Sequence, residues 1–309
     1  MKVLKYLRYF IKNAWHVFLY KVFKKKKRVD KFLKYKNITC EYSDEVLTQM
    51  INSGVPFCAV RFGAVELSCI NNYEKKMLGL KRKYKDSVKY SMKNNAGFFP
   101  CEEFYFNQYV KTLQIEMKKV DILGISGLHM EDYFYEKMCG NAKVIRYDAF
   151  EPIDKKWLSS LRGKRVLVVS SFVKDMQKQL ERKVRPFKDN LLQEIDFVFV
   201  EAVQTIGDEM DDRFDNWFEA LDYMKMEILK KDFDIALIGA GSYGTPLCTF
   251  VKRLGKQAIQ TGGATPLLFG IIGNRWRNRD YVSKYLSDDW IRPSRLAKGQ
   301  DKIEKGCYW

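Results

Sequence analysis

With 309 residues, 46% of them hydrophobic and 30% charged, the chain is long and apolar enough to bury a full core, which excludes a disordered polypeptide and leaves one large α/β domain or two small ones. Seven scattered cysteines without a Cys-x-x-Cys, and only two histidines, His16 and His129, exclude a disulfide framework, a zinc cluster and a histidine-rich metal site. The net charge of +17 is concentrated: residues 1–36 hold eleven Lys, two Arg and one Asp, or +12, and the rest of the chain carries only +5.

Residues 1–20 alternate basic and apolar side chains at helical spacing. Lys2, Lys5, Arg8, Lys12 and His16 fall on one side of the wheel; Val3, Leu4, Leu7, Phe10, Ile11, Ala14, Trp15 and Phe18 fall on the other. Lys24-Lys25-Lys26-Lys27-Arg28 follow. The longest uncharged stretch before that run, Asn13 to Tyr20, is too short to span a hydrocarbon core, and no small-residue cleavage site follows it. The pattern predicts a basic amphipathic arm over 1–36. Its residues 1–28 are expected to lie on an anionic membrane surface, on the cytoplasmic, inner face of the cell membrane. Deleting residues 1–28 is then expected to leave the body folded. The alternative is a helix docked on the body with a solvated lysine face. No nucleic-acid module accompanies the basic run, so nucleic acid is not an expected partner.

From Asn37 onward apolar β-rich runs alternate with amphipathic stretches. Strands are predicted at Phe57–Phe62, Asp121–Ile125, Lys143–Tyr147, Arg165–Ser170, Phe197–Val200, Asp234–Ile238 and Gln257–Gln260. Helices are predicted at Ser43–Ser53, capped at Ser43, and at Asp211–Lys231, with Phe214, Trp217, Phe218, Leu221, Met224 and Ile228 on one face. Such alternation implies a mostly parallel sheet covered by helices on both faces, with ligands at the carboxyl ends of the strands.

Several strand-end loops carry chemistry. Arg61 and Glu66 stand at the end of the first body strand: the one suits a phosphate clamp, the other a cation ligand or base, or the two close a turn as an ion pair. Ser126-Gly127-Leu128-His129 follows the second strand, and places His129 as a loop or substrate-contact residue. Asn95 lies in a polar, aromatic loop, Asn94 to Pro100, suited to a sugar. The acidic run Asp208 to Asp212 either offers metal oxygens or caps the helix after it. Gly239-Ala240-Gly241-Ser242-Tyr243-Gly244 has G-x-G-x-x-G spacing with Pro246 next, so it aims backbone amides and a helix N-terminus at an anion. No acid stands about 20 residues past these glycines, where a dinucleotide site places one for the ribose. That weakens a nicotinamide-dependent oxidoreductase. Thr261-Gly262-Gly263-Ala264-Thr265 makes a second glycine turn, and Arg275 and Trp276 follow it with two guanidiniums (Arg275, Arg277) and a flat ring for a diphosphate or an acceptor.

Together, RFGAVEL at 61–67, NAGFFP at 95–100, DIALIGAGSYGTPL at 234–247, GGATPLLFGIIGNRW at 262–276, and the tail WIRPS at 290–294 with KIEKGCYW at 302–309 resemble the GT-D fold glycosyltransferases, a bacterial group associated with surface-polysaccharide and glycoprotein glycosylation. The resemblance spans roughly 37–309. It implies a Rossmann-like domain, a nucleoside-diphosphate sugar donor, often a UDP-sugar, a divalent metal such as Mn²⁺, and a glycan, lipid-linked glycan or glycoprotein acceptor. The family's Asp-x-Glu after Arg-Phe-Gly reads Ala64-Val65-Glu66 here, so Glu66 alone matches. A metal would rest on Glu66 with donor phosphates and water, or on Asp208 or Asp211; without one, Arg61 and Arg275 would substitute for its charge. The expected donor cradle is Gly63, Gly239, Gly241, Ser242, Tyr243, Gly244, Gly262, Gly263, Thr265 and Arg275, with Arg61 and Glu66 catalytic, and Asn95, His129 and Trp276 toward the sugar or acceptor. A nucleotide- or glycan-binding scaffold that has lost catalysis is the non-enzymatic alternative.

Overall fold

A computed structural model describes residues 2–23, 29–300, 303 and 306. The polybasic run 24–28 and most of the terminal segment 302–309 lie outside the described residues. After α1 (Lys2–Phe23) comes a small antiparallel hairpin, β1 (Lys31–Phe32) with β2 (Tyr35–Lys36), and then α2 (Cys40–Asn52). All seven predicted strands exist: β3 (Cys58–Arg61), β4 (Ile122–Ile125), β5 (Lys143–Arg146), β6 (Arg165–Ser170), β7 (Asp196–Glu201), β8 (Ile235–Gly239) and β9 (Gln257–Ile259). They form one wholly parallel sheet in the order β5-β4-β3-β9-β8-β6-β7.

The remaining helices are α3 (Ala64–Met77), α4 (Asp86–Ala96), α5 (Glu103–Glu116), α6 (Glu131–Met138), α7 (Val173–Glu181), α8 (Trp217–Leu229), α9 (Gly244–Arg253), α10 (Asn274–Arg277) and α11 (Asp280–Ser283). Alternate strand residues feed two cores. Val60, Leu123, Val169 and Ile238 pack with α3, α5, α6, α8 and α9; Ala59, Ile122, Val168 and Leu237 pack with α2 and α7. This three-layer arrangement is the physical consequence of strands that are apolar on both faces.

The order of strands creates the site. The chain moves outward from β3 to β5, jumps to β6 and β7, then returns through β8 to insert β9 beside β3. The loops after β3 and β9 therefore leave neighbouring strands in separate directions and open a crevice at their carboxyl ends.

Two predicted helix starts are corrected. Thr39, not Ser43, caps α2: its hydroxyl accepts from the Tyr42 amide at 3.1 Å. Ser43 is buried inside the helix and accepts from the Arg146 amide at 2.9 Å, which ties α2 to the end of β5. α8 starts at Trp217, and Asn216 caps it by accepting from the amides of Phe218 and Glu219 at 3.0 and 3.2 Å. The acidic run does not cap α8, because Asp211 is turned onto the Arg213 guanidinium at 2.6 and 2.8 Å. An Asn placed immediately before the first turn outcompetes carboxylates five residues earlier.

α1 is docked on the body. Tyr6 is buried and its hydroxyl donates to Asn71 at 2.8 Å; Asn13, 2% exposed, donates to Asp132 at 2.9 Å and accepts from the Met130 amide at 3.2 Å. Phe10 packs edge-on against His129. The residues sent outward are Leu4, Ile11, Trp15, Phe18 and Val22, all exposed, with Trp15 stacked on Phe18. The docked face thus carries Asn13 and three aromatic rings, Tyr6, Tyr9 and Phe10, and the solvent face carries an apolar stripe rather than lysines alone. No helix among the described residues is long and apolar enough to cross a membrane.

Candidate active site

One cleft, enclosing about 200 Å³, runs along the carboxyl edge of the sheet. Its walls come from the loops after β3, β6, β7, β8 and β9, together with the end of α4. Arg61, Gly63, Glu66, Asn95, Gly239, Gly241, Tyr243, Gly262, Gly263 and Arg275 from the expected set all line it.

The glycine turns meet because side chains are missing. A Cβ on Gly239 would overlap the Thr265 hydroxyl and stand 2.6 Å from the Gly262 carbonyl oxygen. The β8 and β9 turns therefore touch through backbone. A Cβ on Gly244 would overlap the Gln260 side chain, so that glycine serves the contact of α9 with β9. Gly241 has φ +51° and lines the cleft, with no atom but the Ala96 carbonyl, at 3.7 Å, near where a Cβ would stand, the arrangement in which a bare amide approaches a ligand.

Three residues of the expected cradle lie beneath it instead. The Ser242 hydroxyl donates to the Ala96 carbonyl at 2.7 Å and accepts from the Trp217 indole at 2.9 Å. It fastens the turn to α4 and α8. Thr265 is fully buried and donates to Gly262, so it shapes the second turn from below. Gly244 packs as described. Tyr243 does line the cleft, with its ring stacked on Trp217 at 4.8 Å.

Arg61 is the most informative side chain. Its guanidinium lies over the Tyr147 ring, 4.6 Å from the centroid, and 3.0 Å from where a Cβ of Gly262 would stand. Its Nε is buried with no hydrogen-bond partner. A buried charged donor without an acceptor is costly unless a ligand supplies the anion. The Tyr147 hydroxyl donates to Glu151 at 3.2 Å, and Tyr281 donates to the other carboxylate oxygen at 2.8 Å. Burial pushes the Tyr147 hydroxyl up from its ordinary range, while the charge of Arg61 pulls the other way. Arg275 enters the cleft from α10 and contributes to the same field.

Glu66 sits in the first turn of α3 with its carboxylate folded over Gly63, where any Cβ would overlap it. It is the sole acid lining the cleft among the described residues, and no group of three metal-ligating side chains exists among them. Asp208 lies against Gly299 and Asp211 on Arg213, and neither lines the cleft. Glu66 alone would hold a divalent ion only together with oxygens of a bound phosphate and water, the way such ions are held through one or two carboxylates plus substrate phosphates.

Two weak candidates stand outside. His129 packs on Phe10 and lines a different hollow with Asn13 and His16. The amides of its loop, Ser126, Gly127 and Leu128, already donate to the buried Glu131 carboxylate at 3.2, 2.7 and 3.1 Å, so that anion site is filled from within. Trp276 is 4% exposed, packed with Ile153, Leu267 and Val282, and offers no face to an acceptor; Arg275 covers its ring at 5.6 Å.

Sequence reasoning missed Tyr147, Glu151 and Gln204. Gln204 belongs to a strap, residues 202–207, that leaves β7 and crosses to α4. The Thr205 hydroxyl donates to the Gly97 carbonyl at 2.7 Å, and the Gly207 amide donates to Asn94 at 3.1 Å. The position of Gln204 just past a strand end was the available signal.

No family model matches the chain, and no curated protein matches it at a significant level. Among solved structures, one described as the highly conserved domain of unknown function 1792 with a distinct glycosyltransferase fold aligns over 87% of this chain and 94% of its own, at 13% identity and a TM-score of 0.45. A selenomethionine-substituted structure of domain of unknown function 1792 aligns over 86% and 98%, at 12% identity and 0.44. A third, described as a new glycosyltransferase of that domain type from Streptococcus sanguinis, aligns over 85% and 95%, at 12% and 0.44. Likeness at this level carries no argument about activity.

Proposed function

We propose that this protein is a glycosyltransferase that takes a sugar from a nucleoside-diphosphate donor, a UDP-sugar in the first instance. The observation that carries the reading is the buried, unpartnered Nε of Arg61, held beside Gly262 and Gly263 and in the same cleft as Gly239 and Gly241. Bare turn amides and a fixed guanidinium together suit a diphosphate. In the reaction the bond between the anomeric carbon and the diphosphate oxygen breaks, and that oxygen keeps the electron pair. A new bond forms from the anomeric carbon to the acceptor oxygen, and the acceptor proton passes to the Glu66 carboxylate. Arg61 and Arg275 stabilise the charge that grows on the leaving diphosphate. The acceptor we propose is a glycan, a lipid-linked glycan or a glycoprotein of the bacterial surface. A divalent ion such as Mn²⁺ would be held by Glu66 together with the donor phosphates and water and would neutralise diphosphate charge; no step here depends on one.

The outward stripe Leu4, Ile11, Trp15, Phe18 and Val22, in a segment of high positive charge, supports seating on an anionic membrane, where lipid-linked acceptors reside.

A thermal-shift titration with UDP, GDP, CMP and NAD, each with and without Mn²⁺, tests the reading, because a ligand that binds only the folded state raises its melting temperature. Stabilisation by a nucleoside diphosphate, lost in Arg61→Ala, is the expected result. Stabilisation by NAD alone, or by nothing, would overturn it.

A further inference from the structure

Gln204 is 9% exposed and lines the cleft, yet neither its amide nitrogen nor its amide oxygen has a hydrogen-bond partner. An unsatisfied primary carboxamide at that depth loses a donor and an acceptor bond at once. The chain does not spare Gln204 this cost elsewhere: the strap that carries it is pinned at Thr205 and Gly207, so the side chain is held toward the cleft. A ligand that relieves it must present an acceptor and a donor side by side. The hydrogen-bonding edge of a nucleobase has that arrangement, and it meets a carboxamide with two parallel hydrogen bonds.

Reading across the carboxyl edge, Arg61 and Glu66 follow β3, Gly262 follows β9, Gly239 and Gly241 close β8, Ser171 and Phe172 follow β6, and Gln204 follows β7. At ~4.8 Å between strands, β3 and β7 are separated by roughly 19 Å at the sheet, and the strap brings Gln204 back from β7 toward the end of α4 beside the Gly241 turn. The diphosphate-binding turns and Gln204 share one cleft, so a donor whose diphosphate meets those turns has its base within the same cleft as the Gln204 carboxamide. Phe172, half-buried at the end of β6, lines the same cleft and offers aromatic surface to it.

We infer that Gln204 is the nucleobase-reading residue of this site, and that it selects the donor nucleotide through paired hydrogen bonds to the base edge. The inference rests on the donor reading above and adds the residue that decides which nucleotide is taken.

Calorimetric titration of the full chain with UDP, CDP, GDP, ADP and ribose 5-diphosphate, which has the diphosphate and no base, tests it. The wild type is expected to bind one of the four nucleotides at least tenfold more tightly than ribose 5-diphosphate. Gln204→Leu should bring that nucleotide to within about threefold of ribose 5-diphosphate and leave ribose 5-diphosphate itself unchanged, since a site built to hydrogen-bond a group discriminates through that bond. Gln204→Glu, nearly isosteric, should keep the fold and change the order of preference among the bases, because a carboxylate only accepts. If the leucine variant does not fold, the glutamate variant decides. Wild-type binding of ribose 5-diphosphate as tight as any nucleotide, or an unchanged preference in the variants, would overturn the role of Gln204 while leaving the diphosphate site standing. Absence of binding to all five would overturn both.

Discussion

The Arg61 guanidinium lies over the Tyr147 ring, and Glu151 accepts the Tyr147 hydroxyl from behind. Stacking fixes the plane of the fork, and the fork is what a diphosphate reads. Arg61→Lys keeps the charge and loses the plane, so kcat/KM is expected to fall about 10²- to 10³-fold, the range for losing one charge-stabilising donor. Tyr147→Phe retains the ring and should retain most activity, whereas Tyr147→Ala should approach the lysine variant. Donor turnover kinetics decide this; wild-type rates in Arg61→Lys would remove Arg61 from the mechanism.

The glycines of the first turn should separate by substitution. Gly239→Ala and Gly244→Ala place a methyl group against Thr265 and Gln260. Overpacking of this kind costs about 1–3 kcal/mol, visible in the urea midpoint. Gly241→Ala meets only the Ala96 carbonyl at an ordinary 3.7 Å and costs its positive φ, about 1–2 kcal/mol. It should nonetheless weaken donor binding, because the methyl group enters the cleft. Equal stability losses at all three positions would contradict the separate packing and approach roles.

The two faces of α1 predict different phenotypes. Asn13→Ala leaves buried Asp132 without one of its donors and should cost about 1–3 kcal/mol. Removing residues 1–28 uncovers the Tyr133 ring that Tyr6 and Tyr9 pack against, so the truncated body should fold but melt earlier. Trp15→Ser with Phe18→Ser changes only exposed side chains. That double variant should keep the melting temperature and lose sedimentation with phosphatidylserine vesicles. Undiminished vesicle binding would rule out the outward stripe as a membrane contact.

Acid sensitivity should reside partly behind the glycine turn. Glu116, at the end of α5, is partly buried, which raises its pKa, but hydrogen bonds from Thr249, Arg253 and Lys119 outweigh the burial and hold it below the ordinary glutamate value of 4.5. With a folded pKa below the unfolded one, its contribution is complete above about that value and is lost as pH falls through the depressed one. Glu116→Gln should lower stability at neutral pH and flatten the acid limb between pH 5 and 2 in chemical denaturation series. An unaltered acid limb would show that the α5–α9 link does not titrate.

The seven strands and the two glycine turns were legible in the chain because each is written locally, as an apolar run between turn signals or as glycines at fixed spacing. The cap of α8 was misread for the same reason: a run of acids is a louder local signal than the single Asn216 that makes the bonds. Local pattern also said that α1 is amphipathic. It did not say which apolar residues face the body, since that depends on Tyr133, Asp132 and His129, more than a hundred residues away.

By itself the sequence determined the parallel α/β class, the presence of Arg61 and Glu66 at a strand end, and the bare amides of the turns. Only the tertiary structure decided which of these form one cleft. Inserting β9 beside β3 brings Gly262 onto Arg61, folding the loop after β5 over them supplies the Tyr147 ring, and the strap after β7 delivers Gln204. The same packing buries Trp276 and turns His129 away. Burial, orphaned hydrogen bonds and steric overlap at a missing Cβ are properties of neighbours in space, and residues 100 to 200 positions apart leave no periodic mark on each other in the chain.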